Sequence, residues 1–99
     1  KVWGEGLARA YADVHGLSCI CLRIGWVVAE DRPPNPNARA VWCSQRDIAQ
    51  LTERCVSAPE SVRFEIFYGI SDNRYRWVDT GRARGVVGFV PQDRAEDWT

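Results

Sequence analysis

Residues 18–25 read Ser-Cys-Ile-Cys-Leu-Arg-Ile-Gly, SCICLRIG, and this stretch decides the fold. It is an almost unbroken apolar run whose length and flanks suit a β-strand covered on both faces, as in a parallel sheet. A second run of the same kind, VRFEIFYGIS at 62–71, sets Phe64, Ile66 and Tyr68 against Arg63, Glu65 and Phe67 in strand alternation. Before the first strand, Trp3, Leu7, Ala10, Tyr11 and Val14 recur at helical spacing while Glu5, Arg9 and Asp13 take other faces. Gly16 is placed to end that helix in a left-handed conformation.

Between the strands lie two segments of different character. Residues 25–43, GWVVAEDRPPNPNARAVWC, hold Pro33, Pro34 and Pro36 and are expected to form a long surface loop; loops of that length in small domains usually carry function or move. SQRDIAQLTERCVSAPE then restarts a helix. Ser44 can cap it with Asp47 in the reciprocal third position, Ile48, Leu51, Thr52, Cys55 and Val56 form its apolar stripe, and Pro59 ends it. After the second strand, Asp79 or Thr80 can cap a short third helix reaching Val87. Helix, strand, helix, strand, helix is the alternation of an α/β fold with right-handed crossovers. Two strands make a poor sheet, so the 99 residues are expected to be one unit that forms a piece of a larger domain.

Composition narrows the partners. Thirteen basic and thirteen acidic residues cancel, and neither half of the chain carries a large excess. Nucleic acid and anionic membrane both call for a basic surplus, so neither is favoured. The longest apolar runs fall far short of the roughly 20 residues that span a bilayer, and no signal-peptide pattern stands at the start; the expected location is the cytoplasm. Cys19 and Cys21 sit two apart in a strand pattern and Cys55 on an apolar helix face, which marks the four cysteines as reduced core residues rather than disulfides. Cys19-x-Cys21 lacks the paired knuckles of a zinc ribbon, and His15 stands at a helix end where it meets the last carbonyls, so no metal site is expected.

Ligands of open parallel sheets bind beyond the carboxyl ends of the strands. Those ends are Ile24-Gly25-Trp26-Val27 and Gly69-Ile70-Ser71-Asp72-Asn73, and a site is sought there. No glycine-rich dinucleotide loop or phosphate-binding Gly-Lys-Ser/Thr motif occurs; Gly4-Glu5-Gly6 lies inside a helical pattern, where close helix packing accounts for the glycines. The serines lack a histidine partner nearby in sequence, and Asp47, Glu53, Glu65 and Asp79 are accounted for by helix caps and solvated faces. Lys1 stands apart as the sole lysine among thirteen basic residues, at the start of a helix that has no capping signal of its own.

These residues resemble a family. KVWGEGLARAY followed by GLSCICLRIG is similar to the segment after the active-site tyrosine in extended short-chain dehydrogenase/reductases, the NAD-dependent epimerase/dehydratase family. WCSQRDIAQL, YGISDN with Trp77-Val78-Asp79, and GFVPQD follow in the order of its uronate dehydrogenase-like branch. The resemblance covers essentially all 99 residues. It implies the C-terminal, substrate-side fragment of a Rossmann-like NAD(P)-binding domain, with the glycine-rich N-terminal half absent. It implies hydride transfer between NAD or NADP and a hydroxyl of a sugar-like substrate, by a parent oxidoreductase or epimerase whose fragment is inactive alone.

On that resemblance Lys1 is the lysine of a Tyr-x-x-x-Lys motif. Its charge would lower the tyrosine pKa and its ammonium would hold the nicotinamide ribose. Ile24, Gly25, Trp26 and Val27 correspond to the segment against the nicotinamide, and Trp26 departs from the small polar residue of uronate dehydrogenases. Arg32 and Arg39 are the candidates for a carboxylate-binding arginine, since a guanidinium fork matches a carboxylate. A homodimer through the first helix is also implied. The competing expectation is a standalone, non-enzymatic binding module derived from the same fold.

Overall fold

The computed structural model describes residues 2–98, so Lys1 lies outside the described residues. Its elements are α1 (Val2–His15), β1 (Cys19–Ile24), a 3-10 helix (Pro36–Ala40), α2 (Gln45–Val56), β2 (Phe64–Gly69), α3 (Gly81–Val87) and a second 3-10 helix (Ala95–Trp98). β1 and β2 pair in parallel from Cys19 opposite Phe64 to Ile24 opposite Gly69. Parallel pairing requires a crossover, and α2 supplies it.

The sheet is covered from both sides. On one side Phe67 packs with Leu51 of α2, Ala83 of α3 and Phe89 as the buried core, joined by Ile20 and Leu22 of β1. Glu65, on the same face as Phe67, is held by Arg82 of α3 at 2.9 and 2.7 Å. The buried residues of β2, Phe67 and Gly69, are therefore on the Arg63–Glu65–Phe67 side of the alternation, and the Phe64–Ile66–Tyr68 side is only half-buried. That second side meets α1: Arg9 lies over the Phe64 ring, 5.2 Å from its centroid.

The orientation of α1 differs from the sequence expectation. Its stripe of Trp3, Leu7, Tyr11 and Val14 is exposed, and Ala12 is its buried residue. The cause is Glu5, which accepts two hydrogen bonds from Arg23 of β1 at 2.8 Å each and so turns the Glu5–Ala8–Ala12 side toward the sheet. Gly4 and Gly6 have nothing within 4 Å of an added Cβ, so close helix packing does not account for them in this structure. Gly16 does end α1 with a positive φ of 66°. His15 lies beside Tyr11, with ring centroids 5.1 Å apart.

The segment 25–43 is exposed over most of residues 26–37, as its prolines predict, but its later part is ordered and built into the interior. Asn35 caps a 3-10 helix with its side chain, Pro36 occupies the first turn, and Ala38, Trp42 and Cys43 are buried. The segment closes on itself: the Trp26 N–H donates to the Val41 carbonyl and the Cys43 N–H to the Trp26 carbonyl, both at 2.9 Å. On α2, Leu51 is buried, but Thr52 and Val56 of its expected stripe are exposed.

Ser44 caps α2, its oxygen accepting from the Asp47 N–H at 3.1 Å. Asp47 does not return the bond directly. The Ser44 N–H donates to Ser71 Oγ at 2.9 Å, and Ser71 Oγ donates to Asp47 Oδ2 at 2.7 Å, so a hydroxyl from beyond β2 completes the exchange. Asp47 is wholly buried rather than on a solvated face, and it also accepts the Gln92 and Asp93 N–H groups at 2.7 and 3.1 Å. This knot ties the C-terminal segment, the start of α2 and the exit of β2 together, with Asn73 bridging the Trp42 carbonyl and the Ala95 N–H. At α3 the side-chain cap comes from Asp79, whose Oδ1 accepts the Gly81 N–H at 2.7 Å.

All four cysteines are free. Cys43 is wholly buried beside the knot, and burial first, then the Asp47 charge, pushes its thiol up to about 12. Thiolate, not thiol, is the nucleophile. Cys43 is expected to resist a thiol reagent at about pH 8 until denaturant is added. Labelling of all four cysteines at similar rates in the native protein would contradict this.

Candidate functional site

At the carboxyl end of the sheet, β1 delivers Ile24, Gly25 and Trp26 to the rim of an open groove of about 880 Å³. β2 and the chain beyond it add Tyr68, Ile70, Trp77 and Val78, while Val2, Gly4 and Glu5 from the first turn of α1 close the near side. The strand-end rule thus locates the groove, and three of the four residues expected at 24–27 line it. Val27, Arg32 and Arg39 are not in its lining: Arg32 is exposed in the bend before Pro33, and Arg39 lies in the first 3-10 helix. Lys1 adjoins Val2 in sequence but lies outside the described residues.

The rim is rigidly built. Gly25 donates its N–H to the Gly69 carbonyl at 2.9 Å, extending the sheet by one residue. An added Cβ at Gly25 would stand 1.9 Å from the Val41 oxygen and 2.9 Å from Ile70 Cγ2, so only glycine lets the Val41–Trp42 segment pass so close there. Trp26 follows, bridged in parallel to Trp42. Its backbone is bonded on both sides, yet its side of the groove is open and the residue is 51% exposed. Trp77, on the loop after β2, is 75% exposed.

One polar cluster lies in the lining. Arg23 gives two donors to the Glu5 carboxylate and a third, Nη1, to the Tyr68 hydroxyl at 2.9 Å. The Arg23 hydrogen bond holds the Glu5 carboxyl below the usual range, and Glu5, then Tyr68, hold the guanidinium above its own. Both groups stay ionised at neutral pH, and the pair is internally neutral. Because the Tyr68 oxygen accepts from Arg23, its own proton remains available to an acceptor. Sequence reasoning passed over Glu5, Arg23, Tyr68 and Trp77 as site residues. The signal that could have found the first two was a lone arginine inside the apolar run SCICLRIG, which has to find a partner.

Parallel strands, flanking helices and a groove at the strand carboxyl ends define a Rossmann-like α/β unit, a class whose sheets take their ligands at that end. Comparison with known proteins is more specific. No protein-family model matches the chain. The NAD-dependent glucose-6-phosphate dehydrogenase of Haloferax volcanii is 41% identical over all of the chain and 37% of that protein. The uronate dehydrogenase of Pseudomonas putida is 38% identical over 97% of the chain and 34% of that protein. A mutant uronate dehydrogenase from Agrobacterium tumefaciens, solved as a complex with NAD, superposes with a TM-score of 0.88 at 32% identity, over 98% of the chain and 35% of that structure. The homologues of this chain are uronate dehydrogenase-like, NAD-dependent dehydrogenases, and the chain spans about a third of the length of the relatives it matches.

The lining combines an aromatic wall, aliphatic side chains and a glycine-fixed rim at the carboxyl end of the sheet. Among the described residues no helix is long and apolar enough to cross a membrane.

Proposed function

We propose that this chain is the C-terminal, substrate-side part of an NAD(P)-dependent dehydrogenase of a sugar or sugar acid, with the groove at the carboxyl ends of β1 and β2 as its reaction site. The observation that carries this is the convergence of Ile24, Gly25 and Trp26 with Tyr68 and Trp77 on one groove, in a chain whose relatives are such enzymes. A bound NAD supplies the hydride acceptor. Ile24, Gly25 and Trp26 would hold the nicotinamide end and shield it from water. Lys1, by its ammonium charge, would lower the pKa of a tyrosine supplied elsewhere in the enzyme, so that the phenolate takes the proton from the substrate hydroxyl.

The chain itself contains no dinucleotide glycine motif. The 99 residues alone are therefore proposed to be inactive. The exposed stripe on α1, with Trp3, Leu7, Tyr11 and Val14, offers an apolar surface to a second polypeptide face and is the proposed dimer contact.

The test is sugar-dependent reduction of NAD and NADP by the product of the whole open reading frame that encodes these residues, followed by near-ultraviolet absorbance. Activity is expected, and Lys1→Met is expected to lower kcat by about 10²-fold or more. Activity in the Lys1→Met variant within twofold of the native value would remove Lys1 from the mechanism. Absence of any turnover with either cofactor would favour a binding module without dehydrogenase chemistry.

A further inference from the structure

We propose that Asp31 and Gln45 form a latch that positions the chain leaving the groove's rim, and that this latch sets the affinity for the sugar rather than the rate of the chemical step; this rests on the dehydrogenase reading above. Both are positioning residues, since neither lines the groove. Two independent observations point to the latch.

The first is how many bonds one residue supplies. The Gln45 N–H, in the first turn of α2, donates to Asp31 Oδ1 at 2.7 Å. The Gln45 side-chain amide donates to the Val28 and Ala29 carbonyls at 3.0 and 3.2 Å. Within the turn held in this way, the Asp31 N–H closes on the Val28 carbonyl at 3.1 Å. The grip continues the one on Trp26, whose N–H and carbonyl are bonded to Val41 and Cys43. The stretch 26–31 is thus fastened along 41–45 at both of its ends.

The second is the backbone of Asp31. Its φ of 57° is the one positive value at a non-glycine residue among the described residues. That conformation is unfavourable for a side chain with a Cβ and persists where the surroundings over-determine it. Aspartate is one of the few residues that visit it. Here the bent chain brings a carboxylate to the N-terminus of α2, where an orphan N–H and the helix dipole both favour negative charge. Ser44 already serves the Asp47 N–H of the same turn, so α2 begins with one cap from its own sequence and one from the rim side.

The place of the latch gives its consequence. Trp26 lines the groove, and the chain beyond it is exposed over most of residues 27–37, with neither strand nor helix before Pro36. Unlatched, that stretch would have to be ordered each time a substrate docks against the rim. Latched, it is ordered in advance, and binding is spared that cost. A device of this kind acts on ground state and transition state alike, so its loss raises KM and leaves kcat.

The experiment uses the product of the whole open reading frame, with NAD or NADP and the sugar it turns over best. Asp31→Gly removes the acceptor while relieving the backbone, and Gln45→Glu exchanges the amide donors for acceptor oxygens at nearly constant shape. Each is expected to raise KM for the sugar roughly three- to tenfold with kcat within about twofold of native. Asp31→Asn keeps an acceptor oxygen and tolerates the left-handed backbone, so its KM is expected to stay within about twofold of native. The double variant Asp31→Gly/Gln45→Glu is expected to raise KM little more than either change alone, because both open one latch. Hydrogen exchange reads the latch without turnover: the Gln45 amide is expected to exchange faster in Asp31→Gly. Unchanged exchange there, a KM unmoved in both single variants, or Asp31→Asn as impaired as Asp31→Gly overturns the proposal and leaves the dehydrogenase reading intact. If Gln45→Glu does not fold, the pair of Asp31 variants decides. Failure of every sugar with both cofactors overturns the dehydrogenase reading and this proposal with it.

Discussion

Gly25→Ala is expected to destabilise the protein by about 3 kcal/mol, near the upper end of what one added methyl group does in a packed site. The reason is local and severe. The new Cβ would lie 1.9 Å from the Val41 oxygen, 3.1 Å from the Val41 carbonyl carbon and 2.9 Å from Ile70 Cγ2. Two of these three atoms are backbone, so no rotamer change relieves the overlap. Relief requires the Val41–Cys43 segment to move away from β1, which breaks the two hydrogen bonds that hold Trp26 to it. A urea titration measures the cost. Substitution is expected to lower the midpoint strongly, and the same midpoint as the native protein would mean that the crossing at Gly25 is not tight. Ligand binding is expected to weaken as well, because Trp26 loses the two backbone bonds that hold it at the rim of the groove.

Asp47→Ala is expected to cost a similar amount, about 3 kcal/mol or more, by a different route. Asp47 is buried and accepts the Ser71 hydroxyl, the Gln92 N–H and the Asp93 N–H. Removing its carboxylate leaves those donors without an acceptor in a place that water reaches poorly, and each orphaned group costs about 1–3 kcal/mol. Asp47→Asn keeps one acceptor oxygen and is expected to be intermediate. Hydrogen exchange separates the two origins of instability. The amides of Gln92 and Asp93 are expected to exchange much faster in Asp47→Ala, while those of the β1–β2 ladder change only by the global loss of stability. Unchanged protection at Gln92 and Asp93 would contradict the role given to Asp47.

The features legible in the sequence are those fixed by nearby residues. The two strands follow from their apolar runs, the start of α2 from Ser44, and the end of α1 from Gly16, because propensity and capping act within a few positions. The groove's rim at 24–26 was legible for a topological reason, the strand-end rule, rather than from any residue type. What escaped depends on partners far apart in sequence. The outward turn of the α1 stripe comes from Glu5 meeting Arg23, eighteen positions later. The burial of Asp47 comes from Ser71, Gln92 and Asp93, and a helix-cap explanation was locally sufficient, so nothing signalled the rest. In 25–43 the prolines pointed to a surface loop, while the pair that mattered was Trp26 and Trp42, bridged across the loop. Trp77 reaches the groove only because the chain turns back after β2, and single-residue patterns carry no information on that.

The most direct test of the proposed function is a crystal structure, with NAD added, of the product of the whole open reading frame that encodes these residues. The nicotinamide ring is expected in van der Waals contact with Ile24, Gly25 or Trp26, facing the groove that Tyr68 and Trp77 share. A nicotinamide bound elsewhere, with those three residues untouched, would contradict it.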